Sequence, residues 1–106
     1  MSYAIKQEAH TFVVVIEGEM MIQHAAEFYQ AVLPSAGFPG AVRLDASAAK
    51  SIHTSIMQIL YALSQAAPDF AVIEASAEFL TAENRVGISL STRKLAQITD
   101  RRTERA

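Results

Sequence analysis

The sequence contains no cysteine, so the chain can form no disulfide, no thiolate metal site and no cysteine nucleophile. Glycine is also scarce. The four glycines, at positions 18, 37, 40 and 87, form neither a phosphate-binding loop nor a dinucleotide-binding fingerprint. Together these absences exclude several common classes of enzyme.

Long hydrophobic runs are missing as well. No apolar run is longer than Phe12 to Ile16, which is far short of the roughly 20 residues needed to cross a bilayer. The start, "MSYAIKQEAH", has no basic segment followed by an apolar one, so it does not resemble a signal peptide. We therefore expect a cytoplasmic protein without membrane insertion. With 51% hydrophobic and 19% charged residues, residues 1–106 are expected to form one folded domain.

Positive charge is concentrated at the end of the chain. Residues 1–92 carry a net charge of −5 and the last 14 residues +3, although the total is only −2. Five of the nine basic residues lie in that last part: Arg93, Lys94, Arg101, Arg102 and Arg105. Because acidic residues interrupt the run and no aromatic residue lies within it, we interpret residues 92–106 as a weak, solvated, basic helix and predict no nucleic-acid binding.

The remaining pattern alternates between strands and helices. "TFVVVIEGEM" is typical of a strand, and "YAIKQEA" can pair with it as a hairpin. A helix is predicted over Met21 to Leu33, with one apolar row (Ile22, Ala26, Tyr29, Leu33) and a second beside it (Met21, Ala25, Phe28, Val32). The loop that begins at Pro34 should end this helix.

The second half repeats the alternation. "AVRLDAS" is predicted to be a short strand in a second layer, and the helix that follows should begin near Ser55. "FAVIEAS" reads as a buried central strand, after which Ser76 is a candidate N-cap and Gly87 a candidate C-cap. "GISLS" could add a last strand. Helical crossovers between strands predict a small α/β domain with a largely parallel, mixed β-sheet and helices packed against it.

Catalytic and metal-binding patterns are weak. His10, His24 and His53 lie in different predicted elements without helical metal-site spacing, so we predict no metal and no cofactor. Ser55 lies in "HTSIM", which has no glycine to permit a nucleophile elbow, and the closeness of His53 in sequence does not provide hydrogen-bond geometry. We predict that the protein is not an enzyme, with a small serine hydrolase using Ser55 as a remote alternative.

The segment "SIHTSIMQIL" is better explained as the N-terminus of a helix. Ser55 and Gln58 have the spacing of a capping box, and Thr54 is an alternative cap. A helix N-terminus also presents free N–H groups and the positive end of the dipole, so a phosphate on Ser55 or Thr54 would be stabilised there. Such a phosphate adds about −1.5 to −2 charges, which is enough to block or create a docking surface.

In order and spacing, the segments "VVVIEGEM", "IQHAAEFYQAVL", "AVRLDAS", "SIHTSIMQILYAL", "FAVIEAS" and "AEFL" resemble the STAS domain of bacterial anti-sigma factor antagonists. The resemblance covers roughly residues 3 to 90. It implies a STAS-like fold and a protein-binding module of signal transduction and transcription regulation. In these antagonists a partner kinase phosphorylates a serine in an Asp-Ser-Ser-Gly-Leu stretch at the start of the second helix. That serine matches Ser55, while His53 and Ile56 replace the aspartate and the glycine, and Met21 stands where an acid is common.

The resemblance therefore implies phosphorylation candidates Ser55 and Thr54, and a partner-binding set at the start of the second helix: Met21, His53, Thr54, Ser55, Met57 and Gln58. Ordinary core packing is an equally good explanation for the methionines. Three partners remain open. An anti-sigma kinase is the first choice. The chain is also similar to stand-alone STAS-like proteins that accompany chemotaxis kinases, and to the STAS subunit that sits on an ABC lipid-transport ATPase.

Overall fold

The computed structural model describes residues 3–8, 10–88 and 90. Four strands form one sheet in the order β1-β2-β3-β4. In chain order, the strands are β1 (Tyr3–Glu8), β2 (Thr11–Met20), β3 (Ala41–Ile52) and β4 (Asp69–Ala75). The helices are α1 (Ala25–Ala36), which follows a 3₁₀ turn at Ile22–His24, α2 (Thr54–Ala66) and α3 (Ala77–Val86).

The sheet is mixed, as the sequence predicts. β1 and β2 form the expected antiparallel hairpin, with Tyr3 opposite Ile16 and Glu8 opposite Thr11. β2 pairs with β3, and β3 with β4, in parallel. The predicted α/β class with helical crossovers is thus confirmed, because parallel neighbours need such connections.

One face of the sheet forms the core. Alternate residues of the three parallel strands are buried in matching rows, such as Val14, Leu44 and Val72, and they cluster with fully buried side chains of the helices. Those helix side chains include Phe28, Ile56, Leu60 and Phe79. The intervening strand residues, such as Val13 and Arg43, are only half-buried because they point to the opposite face.

The second strand of the parallel set is longer and more central than predicted. "AVRLDAS" is the start of a strand that continues to Ile52, and it lies between β2 and β4 rather than in a second layer. The stretch 48–52 is poor in β-branched residues, yet it pairs with Glu17 to Met20 of β2. Tertiary pairing therefore overrides the low strand propensity of alanine, lysine and serine there.

By contrast, β4 is not central in the part of the chain that the structure describes. It pairs with β3 alone and forms an edge of the sheet. Phe70, Ala71 and Val72 are nevertheless buried. An apolar run therefore reflects burial on both faces of a strand rather than a neighbour on both edges.

Helix α1 also differs from its prediction. Phe28 and Val32 of one predicted row are buried, as is Ser35, whereas Ile22, Tyr29 and Leu33 of the other row are exposed. Both rows have helical spacing, so spacing alone does not tell which of them is buried. The 3₁₀ turn before α1 has fewer residues per turn, so it changes the direction of the side chains relative to a continuous α-helix. The helix also continues past Pro34 to Ala36, since the missing N–H of proline affects a single bond near the helix end.

Helix α3 follows its predicted boundaries. Ser76 caps it by accepting the N–H of Phe79 at 3.1 Å, and Gly87 is its C-cap with a left-handed backbone. Ile88 and Leu90 are not in a strand, and the rest of the predicted "GISLS" strand lies outside the described residues, as do the predicted C-terminal helix and its basic charge.

Candidate functional site

The connection between β3 and α2 consists of one residue, His53. Ser51 and Ile52 still belong to the strand, and Thr54 begins the helix. The backbone N–H of His53 donates to the carbonyl of Met20 at 2.8 Å, which fastens this connection to the end of β2. The turn from β3 into α2 is therefore sharp, and a backbone hydrogen bond fixes it to the neighbouring strand β2.

His53 is the N-cap of α2. Its Nδ1 accepts the backbone N–H of Ser55 at 3.1 Å, and its own backbone is extended. The predicted capping box of Ser55 and Gln58 and the alternative cap at Thr54 are both wrong, because these residues already lie inside the helix. Histidine is not a preferred N-cap residue, so composition gave no signal for this role.

The hydroxyl of Ser55 lies 2.9 Å from the same Nδ1. In the tautomer in which Nδ1 accepts the backbone N–H, this hydroxyl is the donor of the contact. The structure thus gives His53 and Ser55 a hydrogen-bond geometry that their closeness in sequence alone does not provide. Even so, Nδ1 has one lone pair, and taking the serine proton would release the helix cap. The contact favours a structural role over general-base catalysis.

We expect His53→Ala to lower the free energy of unfolding by about 1 kcal/mol, since the N–H of Ser55 loses its acceptor. His53→Asp should keep most of the stability, because aspartate caps helices well. Urea denaturation followed by circular dichroism measures both. Ser55→Ala is the matched comparison: if it costs more than His53→Ala, the serine rather than the histidine caps the helix.

A second connection, between β2 and α1, lies beside the first. The backbone N–H of Met21 donates to Nδ1 of His24 at 2.9 Å, and the hydroxyl of Ser51 approaches the sulfur of Met21 at 3.9 Å. Both connections follow the carboxyl ends of parallel strands, the end of an α/β sheet where binding sites commonly lie. The structure thus brings Met21 next to the start of α2, as the sequence predicts.

The predicted site residues differ in exposure. Thr54 and Gln58 are exposed, and Met21, His53 and Ser55 are half-buried. Met57 is completely buried and packs in the core, so it has no surface to offer a partner. Ile56 is completely buried as well, so its replacement of the family's glycine adds no bulk to the surface.

Ile22 is not in the predicted contact set, although the apolar segment 20–22 to which it belongs indicated a partner-binding face in the sequence. This side chain follows Met21 and is 61% exposed, the largest exposure among the bulky hydrophobic residues of the described chain. The sequence pattern placed it on one of the two apolar rows of the predicted helix. Its position after the carboxyl end of a strand was the available signal, because such connections lie on the surface.

No family model matches the sequence, and a search of curated proteins finds no match. Solved structures do match the fold. An anti-sigma factor antagonist from Mycobacterium paratuberculosis superposes with a TM-score of 0.70 at 18% identity, covering 85% of this chain and 84% of that one. The anti-sigma factor antagonist SpoIIAA, in its unphosphorylated form, gives a TM-score of 0.63 at 13% identity, covering 93% and 96%. The chain has a STAS-like fold.

The STAS-like fold explains why short segments carried the resemblance. Gly18, with a positive φ of 63°, sits at an irregularity in the pairing of β2 with β3, just before the strand reaches Met21. A residue with a side chain is strained in that conformation. Gly18-Glu19 is therefore a structural feature of the strand end that leads into the site.

The described part of this STAS-like fold offers no metal site and no membrane-spanning helix. Within residues 3–8, 10–88 and 90, no group of three or more histidine, aspartate or glutamate side chains could hold a metal ion. No described helix has the length and apolar character that a membrane span requires.

Proposed function

We propose that this chain is a cytoplasmic, regulatory protein-binding module of the anti-sigma factor antagonist kind. Its docking surface consists of the two connections at the carboxyl ends of β2 and β3 together with the first turns of α2: Met21, Ile22, His53, Thr54, Ser55 and Gln58. Met57 is left out because it is buried. The STAS-like fold and the placement of these residues support the proposal.

One observation carries it: the hydroxyls of Thr54 and Ser55 lie at the start of α2, and exposed Ile22 begins the 3₁₀ turn that follows the neighbouring strand β2. The bond from the N–H of His53 to the carbonyl of Met20 holds the two connections together. An exposed apolar side chain rimmed by polar groups is typical of a surface that binds another protein. Because the site is built on strand ends, it is ordered before a partner arrives.

The same placement supports a phosphoswitch. A phosphate on Thr54 or Ser55 would lie at the N-terminus of α2, where free N–H groups and the helix dipole stabilise negative charge. Thr54 is exposed to a kinase, whereas the hydroxyl of Ser55 is engaged by His53. Of the two structural relatives, SpoIIAA was solved in its unphosphorylated form. We propose that phosphorylation releases the partner, since it places about −1.5 to −2 charges beside apolar Met21 and Ile22.

We expect Ile22→Glu, Thr54→Asp and Ser55→Asp each to reduce recovery of the partner by about tenfold or more, because each places a charge in the docking surface. The measurement is a quantitative pull-down from native cells with mass spectrometry. Leu33→Glu is the matched control, since Leu33 is 45% exposed on α1 and lies towards the end of that helix that is far from the docking surface.

Equal recovery by all four variants would show that this surface is not the interface and that His53 only caps a helix. The identity of the captured protein separates an anti-sigma kinase from a chemotaxis kinase or an ABC ATPase. Incubation with the cognate serine kinases should add one phosphoryl group to the intact mass, and Thr54→Ala and Ser55→Ala locate it. An unchanged mass would refute the phosphoswitch but not the docking surface.

We also propose that the module is not an enzyme. The contact between Ser55 and His53 is short enough for proton transfer, but Nδ1 is already committed to the helix cap. No turnover of general ester substrates is therefore expected. Hydrolysis that disappears in Ser55→Ala would overturn this part of the proposal.

A further inference from the structure

A second site lies next to the docking surface but does not share its residues. A groove of about 330 Å³ runs between the last residues of β3 and the outer side of α3. Ile52 and Ala82, both buried, form its apolar floor. A volume of this size is at the lower end of what small-molecule sites require.

Two cations line the groove, Lys50 from the strand and Arg85 from the helix. Both are exposed, and in the described part of the chain neither forms an ion pair, whereas Arg43 pairs with Asp69 at 3.2 Å. The guanidinium of Arg85 donates to the carbonyl of Ile52 at 3.1 Å, which holds it across the groove. A guanidinium has five N–H donors, so the remaining donors are positioned for an anion.

Polar groups of a different kind complete the lining. Ser51 and Thr81 contribute hydroxyls, and Glu78 contributes a carboxylate that can accept hydrogen bonds from ligand hydroxyls. Among the described lining residues there is no aromatic side chain on which a nucleobase could stack.

From this arrangement we propose that the groove binds a small phosphate monoester with a hydroxylated, non-aromatic body, such as a polyol phosphate. Lys50 and Arg85 bind the phosphate, and Glu78 binds the hydroxyls. The inference goes beyond the docking function and does not depend on it, because Lys50 and Arg85 are not part of the docking surface.

The test uses glycerol 2-phosphate as the probe and ¹⁵N-labelled full-length protein in an NMR titration. We expect saturable shifts of the amides of residues 50–52 and 77–85, and none with glycerol. Lys50→Gln should weaken binding by about tenfold, because one charge-assisted contact is lost. Lys50 is exposed, so this variant should fold normally. Lys6→Gln, which removes an exposed lysine from β1 at the other edge of the described sheet, is the matched control and should bind as tightly as the wild type.

Titrations with other ligands separate polyol phosphates from inorganic phosphate and from nucleotides. Glu78→Ala, which removes both acceptor oxygens, should weaken the binding of glycerol 2-phosphate relative to that of inorganic phosphate. Equal affinity for inorganic phosphate and glycerol 2-phosphate would overturn the polyol assignment, and tighter binding of adenosine monophosphate would overturn the non-aromatic one. No saturable shift in the wild type, or identical binding by wild type and Lys50→Gln, would overturn the site itself.

Discussion

Phe28→Ala is expected to lower the free energy of unfolding by about 3–5 kcal/mol, the largest loss predicted for any variant here. Phe28 is 0% exposed, and its ring meets the ring of Tyr3 edge-to-face at a centroid distance of 5.2 Å. Truncation removes apolar area from the core and leaves a cavity that α1 and β1 can close only in part. Urea denaturation with a fixed m-value measures the loss.

Tyr29→Ala is the matched control, because Tyr29 is the next residue on the same helix and is 46% exposed. Its truncation should cost less than about 1 kcal/mol. The pair of variants decides which row of α1 faces the sheet. If Tyr29→Ala cost more than Phe28→Ala, the apolar row that contains Tyr29, with Ile22 and Leu33, would be the buried one.

Gly40→Ala should destabilise the protein by about 1–3 kcal/mol through overpacking. A methyl group at this position would collide with the backbone carbonyl oxygen of His10 and would come within 2.7 Å of the Phe38 ring. Neither neighbour moves easily. The His10 carbonyl accepts the N–H of Ala41 at 3.0 Å, and the Phe38 ring packs edge-to-face against Phe12. Thermal unfolding followed by circular dichroism measures the effect.

Gly37→Ala provides the comparison, because a methyl group there meets nothing within 4 Å and the backbone does not have a positive φ. We expect a change of stability within about 0.5 kcal/mol. Equal stability of the two alanine variants would mean that the hairpin turn at His10 does not approach the start of β3 as closely as described.

Much of the fold can be predicted from the sequence because its signals are local. The apolar alternation of β1 and β2 predicts a hairpin, and Ser76 and Gly87 predict the ends of α3, since capping depends on neighbours in the chain. The length of β3 is different. Residues 48–52 become a strand because β2 lies beside them, and no local propensity reports that pairing.

The position of the candidate site could be predicted from the sequence, but its hydrogen bonds and the burial of its side chains could not. The resemblance located Thr54 and Ser55 at the start of the second helix, where the structure has them. It could not indicate that His53 caps that helix, because this use of an imidazole nitrogen depends on the rotamer and on the sharp turn after Ile52. Nor could the spacing of methionines separate Met21, at the surface edge, from Met57 in the core, since both fit an apolar pattern.

The hydrogen bond from the N–H of His53 to the carbonyl of Met20 joins main chain to main chain. Its donor and acceptor are backbone atoms, so no substitution other than proline at position 53 removes either of them, and the spacing between the two connections is set by the fold rather than by any particular side chain. Side chains at positions 21, 22, 53 and 54 can consequently change while this backbone hydrogen bond keeps the two connections together. For the docking function proposed above, such an arrangement would allow one binding partner to be exchanged for another while the architecture stays the same.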